Sequence, residues 1–430
     1  MSKRQRSDAE SGIAETARRV LPGGTFGNVA SDIVIARGRG GRVWDVSGNE
    51  YVDFLLGSGP MLVGHAHPEV NAAVQEQVAL GSTFFTNNPQ GVQLAAEIVE
   101  AVPCAEKVRF VSTGSEADAY AMRVARAWKK RDKILKFEGG YHGMSDYSLM
   151  SLAPKRQGNF PSPIPESAGI PRSVRDEVLV APYNDLEAVK GLVSQNKDEL
   201  AAIIVEPFQR LIPPKPGFLE GLRKVTQDNG VALIFDEVVT GFRFSYGGAQ
   251  AYYGVMPDLC TLGKVIGGGY PLAAIAGSTD VMKHFDKGAV AEDEFTVQIG
   301  TLSGNPIAAV AGLATMHILK RPGAYERIFA TGQTIKDGLA RMLKAARIPA
   351  TVLGEPPLFD VVFAEGDITD YRGTLRGNAD LQKRLNAALL ERGVLKGESK
   401  YYISLAHTDE DVQHTLSAMQ EAIDELARAR

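Results

Sequence analysis

The chain has 430 residues, 44% of them hydrophobic and 23% charged, with a formal net charge of -4. That length is too great for one ordinary compact core, so two or more domains are expected, and the charge balance leaves no basic footprint for nucleic acid. No apolar run reaches the roughly 20 residues that span a bilayer, and two cysteines, Cys104 and Cys260, without metal-ligand spacing exclude a disulfide framework and point to a reducing compartment.

The N-terminus, MSKRQRSDAESGIAETARRV, is charged and lacks the apolar centre of a secretory signal. With no HExxH-like histidine cluster, the expectation is a cytoplasmic, metal-free protein. Ile13, Ala17, Val20 and Leu21 mark a short amphipathic helix that ends at Pro22-Gly23-Gly24. A loop through Thr25, Phe26 and Asn28 leads to three strand-like runs, Ile33 to Ala36, Arg42 to Asp45 and Tyr51 to Phe54. They read as an antiparallel meander, and no helix follows their glycines, so this is no dinucleotide fingerprint. From about residue 60 to 315 helical patterns (His67 to Leu80, Val92 to Ala101, Ala117 to Arg131) alternate with apolar runs at Lys107 to Val111, Asp132 to Phe137, Ala201 to Val205 and Val231 to Phe235. That alternation predicts βαβ units and a mostly parallel sheet. Ligands of such sheets sit off the carboxyl ends of the strands, which puts Glu206, Asp236 and Glu237 at the mouth of a site. Beyond residue 315 helices at Ala324 to Ala346, Ala379 to Arg392 and Asp409 to Arg428 surround strands at Phe359 to Phe363 and Tyr402 to Leu405. This part reads as an α+β domain that the N-terminal meander joins. The expected division is 1–59, 60–315 and 316–430.

Four pieces carry the chemistry. Ser112-Thr113-Gly114-Ser115-Glu116 opens a helix after a strand, so its free amides can hold an anion such as phosphate, though the same serines also suit a plain N-cap. In Gly139-Gly140-Tyr141-His142-Gly143 the glycines allow close backbone approach and Tyr141 offers a face to a planar ring; an ordinary loop aromatic is the alternative. Asp236 ends a buried strand and needs a cation, which a protonated pyridine nitrogen would supply in place of a helix cap or salt bridge. Lys264 lies in PDLCTLGKVIGGGYPLAAIAG (Pro257 to Gly277). Burial lowers the pKa of such a lysine and frees its amine to form a Schiff base, unless the ammonium snorkels to water. A Schiff-base lysine and a pyridinium partner are the two groups that pyridoxal phosphate chemistry demands of a protein.

These motifs resemble those of the class III aminotransferases (fold type I, pyridoxal phosphate), and most of all the glutamate-1-semialdehyde aminomutase subgroup. The resemblance runs from Pro22 to Ser404 and is sharpest in GPMLVGHAHPEV (Gly59 to Val70), KFEGGYHG (Lys136 to Gly143), IFDEVVTGFR (Ile234 to Arg243), TLGKVIGGGYP (Thr261 to Pro271) and GTLSGNP (Gly300 to Pro306). It implies an α/β fold of type I, with a large, mainly parallel αβα domain and a small α+β domain built from both termini. By the same resemblance Lys264 forms the Schiff base with the cofactor and Asp236 holds the pyridine nitrogen. Val238 packs on the ring opposite Tyr141, His142 sits beside that ring, Gly114 and Ser115 bind the phosphate, and Glu206 orders polar groups near the cofactor oxygen. Thr301 reaches a second subunit's phosphate, which implies a homodimer.

The departures from the subgroup fall on the substrate side. Ala30 stands where the aminomutases carry a carboxylate-binding arginine, and Gly57-Ser58 replaces a serine-tryptophan pair. Ser399 takes the place of an acidic residue, with Glu398 one place off, and Phe208-Gln209-Arg210 follows Glu206. Arg210 is a candidate carboxylate clamp, with a surface salt bridge as the alternative, and Lys400 is a second candidate. An intact cofactor half with an altered substrate half favours an aminotransferase acting between two molecules over an aminomutase.

Overall fold

A computed structural model of the chain describes residues 4–27 and 33–428. Asn28 and Ala30 lie outside the described residues. By contacts the chain divides into two units, one drawn from Met1–Pro68, Pro322–Gly366 and Arg376–Arg430, the other from Glu69–Arg321 and Asp367–Leu375.

In the first unit strands β1 (Ile35–Arg39), β2 (Arg42–Asp45) and β3 (Glu50–Asp53) form the antiparallel meander. Burial alternates along β2, where Val43 and Asp45 are buried, while Tyr51 and Val52 of β3 are both buried and Arg37, Arg39 and Glu50 remain in water. The larger unit is organised on a seven-stranded sheet. Its members are β4 (Lys107–Val111), β5 (Lys133–Phe137), β6 (Val178–Ala181), β7 (Leu200–Val205), β8 (Ala232–Glu237), β9 (Leu259–Leu262) and β10 (Ala273–Gly277). They lie in the order β4-β10-β9-β8-β7-β5-β6. Neighbouring pairs are parallel except where β10 runs antiparallel between β4 and β9. Strands buried on both faces read as unbroken apolar runs, as in LAAIIV of β7, every residue of which is buried.

The first unit is completed by β11 (Thr351–Glu355), β12 (Leu358–Val362), β13 (Val394–Leu395) and β14 (Tyr401–Tyr402). β11, β12 and β14 make a three-stranded sheet, and β13 adds in parallel to β3, which ties the two ends of the chain together. Two residues are too few to show a period of two, so the sequence reading contains no strand at β13. The segment Asp367–Leu375, far along the chain, belongs to the larger unit. It is held there by Arg372, which donates to Glu138 Oε2 at 2.7 Å and to Gly158 O at 2.7 Å, and by Tyr371, whose side chain fills the place of a Cβ on Gly139.

Candidate active site

Because β10 is antiparallel to both β4 and β9, strands β4, β5, β7, β8 and β9 all point the same way. The residue runs that leave their carboxyl ends are Gly114-Ser115, Tyr141-His142, Glu206 to Arg210, Asp236 to Val238, and Lys264. Residues scattered over 150 positions of sequence therefore leave one edge of one sheet, where open α/β folds hold their ligands.

The helix Gly114–Lys129 is capped by Thr113, whose side chain accepts from the Glu116 amide, while Glu116 Oε2 accepts from the amides of Ser112 and Thr113 at 2.9 Å. Ser112 and Ser115, read from sequence as caps, are not the capping residue. The capping box satisfies the amides on either side of Gly114 and Ser115, and among the described residues those two amides donate to nothing. A pair of free helix N-terminal amides is an anion cradle. The glycine-rich loop closes on it: a Cβ on Gly143 would stand 2.5 Å from Ser115 Cα, and a Cβ on Gly114 would stand 2.9 Å from Val238 Cγ1. The motifs from β4, β5 and β8 thus touch.

Asp236, 4% exposed, is an ion-pair partner of His142, whose Nδ1 lies 2.8 Å from Oδ2. Its Oδ1 accepts from the Val238 amide at 3.0 Å. The His142 ring is buried, and among the described residues its Nε2 has no hydrogen-bond partner. Glu237, expected at the same mouth, does not face it. Successive residues of a strand face opposite ways, and the Glu237 carboxylate is spent on the amide and side chain of Gln250 at 3.1 and 3.0 Å and on Thr240 Oγ1 at 3.1 Å. Its burial pushes that carboxyl up from the usual range.

Lys264 follows β9 and opens the short turn Lys264–Gly267, half-buried and in the left-handed region at φ 48°. Few non-glycine residues adopt that backbone, and it is found where a side chain must be aimed. Glu206, 7% exposed, ties two loops together: Oε1 accepts from the Tyr141 amide and Oε2 from the Arg210 amide, each at 2.7 Å. Tyr141 is half-buried, and burial raises its phenol pKa while the nearby Arg210 charge opposes the shift. The Arg210 guanidinium lies 5.6 Å from the Tyr141 ring centre, and among the described residues no acid pairs with it. Thr301 is exposed in the Gly300–Gly304 turn between exposed Ile299 and Leu302. Ser58, exposed at φ 68°, and Lys400, whose ammonium lies 5.9 Å from the Tyr402 ring centre, belong to the other unit.

Two charged residues near these motifs escaped the sequence reading. Asp118 is 2% exposed on the helix Gly114–Lys129, and Lys136 is 1% exposed in β5. Asp118 shares a helical stripe with Ala121, Met122 and Ala125, so the period that found the apolar face would have found a carboxyl on it.

A family model, aminotransferase class-III, matches residues 26–423. The chain belongs to that family. Glutamate-1-semialdehyde 2,1-aminomutase 2 of Brevibacillus brevis is 41% identical over 420 residues, 95% of this chain and 96% of that protein. An omega-transaminase from Sphaerobacter thermophilus superposes with TM-score 0.92 at 35% identity, over 99% of both chains. A transaminase with PLP bound superposes with TM-score 0.90 at 29% identity, again over 99% of both. Class III enzymes are pyridoxal phosphate enzymes of fold type I, and the seven-stranded sheet is the large sheet of that fold.

Proposed function

We propose that the protein is a pyridoxal phosphate-dependent aminotransferase that moves an amino group from an amine or amino acid to a separate carbonyl compound. The observation that carries the reading is Asp236, a buried carboxylate held by His142 at 2.8 Å on the strand beside the one that leads to Lys264. Such a carboxylate suits a protonated ring nitrogen. The paired free amides of Gly114 and Ser115 suit the phosphate, and the Val238 side chain against Gly114 and Gly263 suits a ring face opposite Tyr141. The residues fit the group.

When bound, pyridoxal phosphate supplies an electrophilic carbon for the substrate amine and a sink for the electron pair left when a proton departs. The chain supplies the rest. Lys264 Nζ would hold the cofactor and, once free, its amine would take up and return a proton at the substrate carbon. Asp236, oriented by His142, keeps the ring nitrogen protonated. Glu206 holds the Tyr141 and Arg210 loops in register. Arg210, half-buried with no acid beside it among the described residues, reads a substrate carboxylate. Thr301 serves the site of a second copy, and the exposed apolar side chains Phe84, Phe85, Ile299 and Leu302, on segments joined by the bond from Asn88 Nδ2 to Gly304 O, support a homodimer. A cytoplasmic location accords with the absence, among the described residues, of a membrane-length apolar helix.

The second reading is intramolecular transfer, the glutamate-1-semialdehyde aminomutase reaction, favoured by the 41% identity to an enzyme of that name. Visible absorption of the loaded protein with a panel of donors separates the two. Conversion of the bound cofactor to its amine form by a simple monoamine donor, reversed by a separate keto acid, is the expected result. Turnover only with a diamino or amino-carbonyl acid would instead establish the aminomutase, and no cofactor band at all would end both readings. In the same assay Arg210→Ala raises KM for carboxylate donors at least about tenfold, the value of a charge-assisted bidentate contact. Unchanged KM for every accepted carboxylate would remove Arg210 from substrate binding.

A further inference from the structure

Asp118 has no role in that reading, yet it is joined to the residue on which the reading rests. Its buried carboxyl sits in the second turn of the helix Gly114–Lys129, and Oδ1 accepts from Thr261 Oγ1 at 2.6 Å. The same hydroxyl stands 3.4 Å from Asp236 Oδ1. Register explains the meeting, since Thr261 on β9 is the direct partner of Asp236 on β8. A hydroxyl has one proton to donate. It is shared unequally, in a short contact to Asp118 and a longer one to Asp236 Oδ1, which also accepts from the Val238 amide.

Two carboxyls bridged by one hydroxyl in a dry site do not both ionise. Asp236 faces His142 at Oδ2 and accepts from an amide at Oδ1, whereas Asp118 has the Thr261 hydroxyl. Burial, and after it the Asp236 charge, drive the Asp118 carboxyl well above the usual range; the Thr261 hydrogen bond and Lys264 oppose the shift and Glu206 adds to it. Asp118 is thus the carboxyl of the pair whose proton burial helps to retain.

We propose that Asp118 is a positioning residue for the cofactor's ring nitrogen: through the hydroxyl of Thr261 it fixes the orientation of Asp236. The inference rests on the reading that Asp236 faces that nitrogen.

The test uses the full chain, stripped of cofactor, as wild type, Thr261→Val, Thr261→Ser, Asp118→Ala and Asp118→Asn. Pyridoxal phosphate affinity is read from quenching of protein fluorescence, the visible band of the bound cofactor is titrated with pH, and the thermal midpoint of each apoprotein is recorded. Thr261→Val and Asp118→Ala are expected to weaken cofactor binding roughly tenfold, the usual effect of removing a group behind a ligand, and to move the midpoint of the visible titration. Thr261→Ser keeps the hydroxyl, and Asp118→Asn keeps a neutral acceptor, so both stay within about twofold of wild type. The double variant Thr261→Val with Asp118→Ala is no worse than the poorer single one, because the two act as one chain. Thr261→Val, close in shape to the native residue, carries the test if Asp118→Ala fails to fold. Wild-type affinity and titration in Thr261→Val, or an Asp118→Asn as weak as Asp118→Ala, would overturn the proposal. Wild-type protein that takes up no cofactor would overturn the function reading itself, a separate result.

Discussion

Two lysines, Lys136 buried and Lys264 half-buried, show how differently the fold can treat one residue type. Lys136 donates to Ser148 O at 2.7 Å and Met150 O at 2.6 Å, pinning a turn of the larger unit from inside β5. Two carbonyls do not replace the water an ammonium loses, and burial brings its pKa down to about 7, with Glu166 and Glu206 opposing. The ordinary value, 10.5, is that of the unfolded chain. Between those values the unfolded chain binds more protons than the folded one, so stability rises as pH climbs from about 7 toward 10.5, with a slope of at most about 1.4 kcal/mol per pH unit. Lys136→Met lacks this term. The thermal midpoint of wild type should gain on that of Lys136→Met between neutral pH and pH 9.5, and parallel curves would show that the lysine stays charged. Lys136 sat in plain view within KFEGGYHG, but nothing in the string distinguishes a lysine buried in β5 from one at its edge. Lys264 was legible because its neighbours, apolar before and glycine after, leave few ways to solvate it.

At the scale of elements, helices whose glycines differ only in what faces them respond in opposite directions. Gly332 lies in the helix Ala324–Ala345, where an added Cβ would stand 1.8 Å from Pro356 O and 3.2 Å from Ile403 Cγ1. Gly191, in the helix Leu186–Asn196, has nothing within 4 Å of that position. Alanine in a helix interior is worth about 0.5–1 kcal/mol over glycine when there is room, whereas overpacking against backbone costs about 1–3 kcal/mol or more. Gly191→Ala should raise the denaturant midpoint and Gly332→Ala should lower it; a gain at both positions would mean that the crossing at Pro356 yields freely. Helix periodicity located the helix of Gly332, not that of Gly191, and could not show this difference, because the neighbour that decides the sign lies 24 residues away at Pro356. The same limit explains Thr113. Three hydroxyl residues, Ser112, Thr113 and Ser115, stand at the start of the helix, and backbone geometry, extended at Thr113, selects the one that caps.

For the molecule as a whole, the apolar side chains left in water on the larger unit make a prediction of mass. Phe85 is 69% and Ile299 74% exposed, on segments linked through Asn88 and Gly304. Exposed apolar surface of that kind marks association, so light scattering should return about twice the 46.2 kDa of one chain. Phe85→Asp with Ile299→Asp should lower that mass and weaken pyridoxal phosphate binding together, if Thr301 serves a second copy's site. A monomer that binds the cofactor fully would separate Thr301 from it.

What the sequence determined by itself was local chemistry: which runs are strands buried on both faces, which glycine-rich turns follow them, and the motif set of a class III enzyme, from which the roles proposed for Lys264, Asp236, Tyr141 and the Gly114-Ser115 turn are drawn. Those readings depend on side-chain type and short spacing, which a string displays directly. What only the tertiary structure decided was direction and company. The antiparallel β10 brings the β4 end to the same edge as the others, the pleat of β8 aims Asp236 and Glu237 opposite ways, and the register of β8 on β9 sets Thr261 between two carboxyls. Such facts join residues far apart in the chain, and the energies that select them belong to pairs, not to single residues.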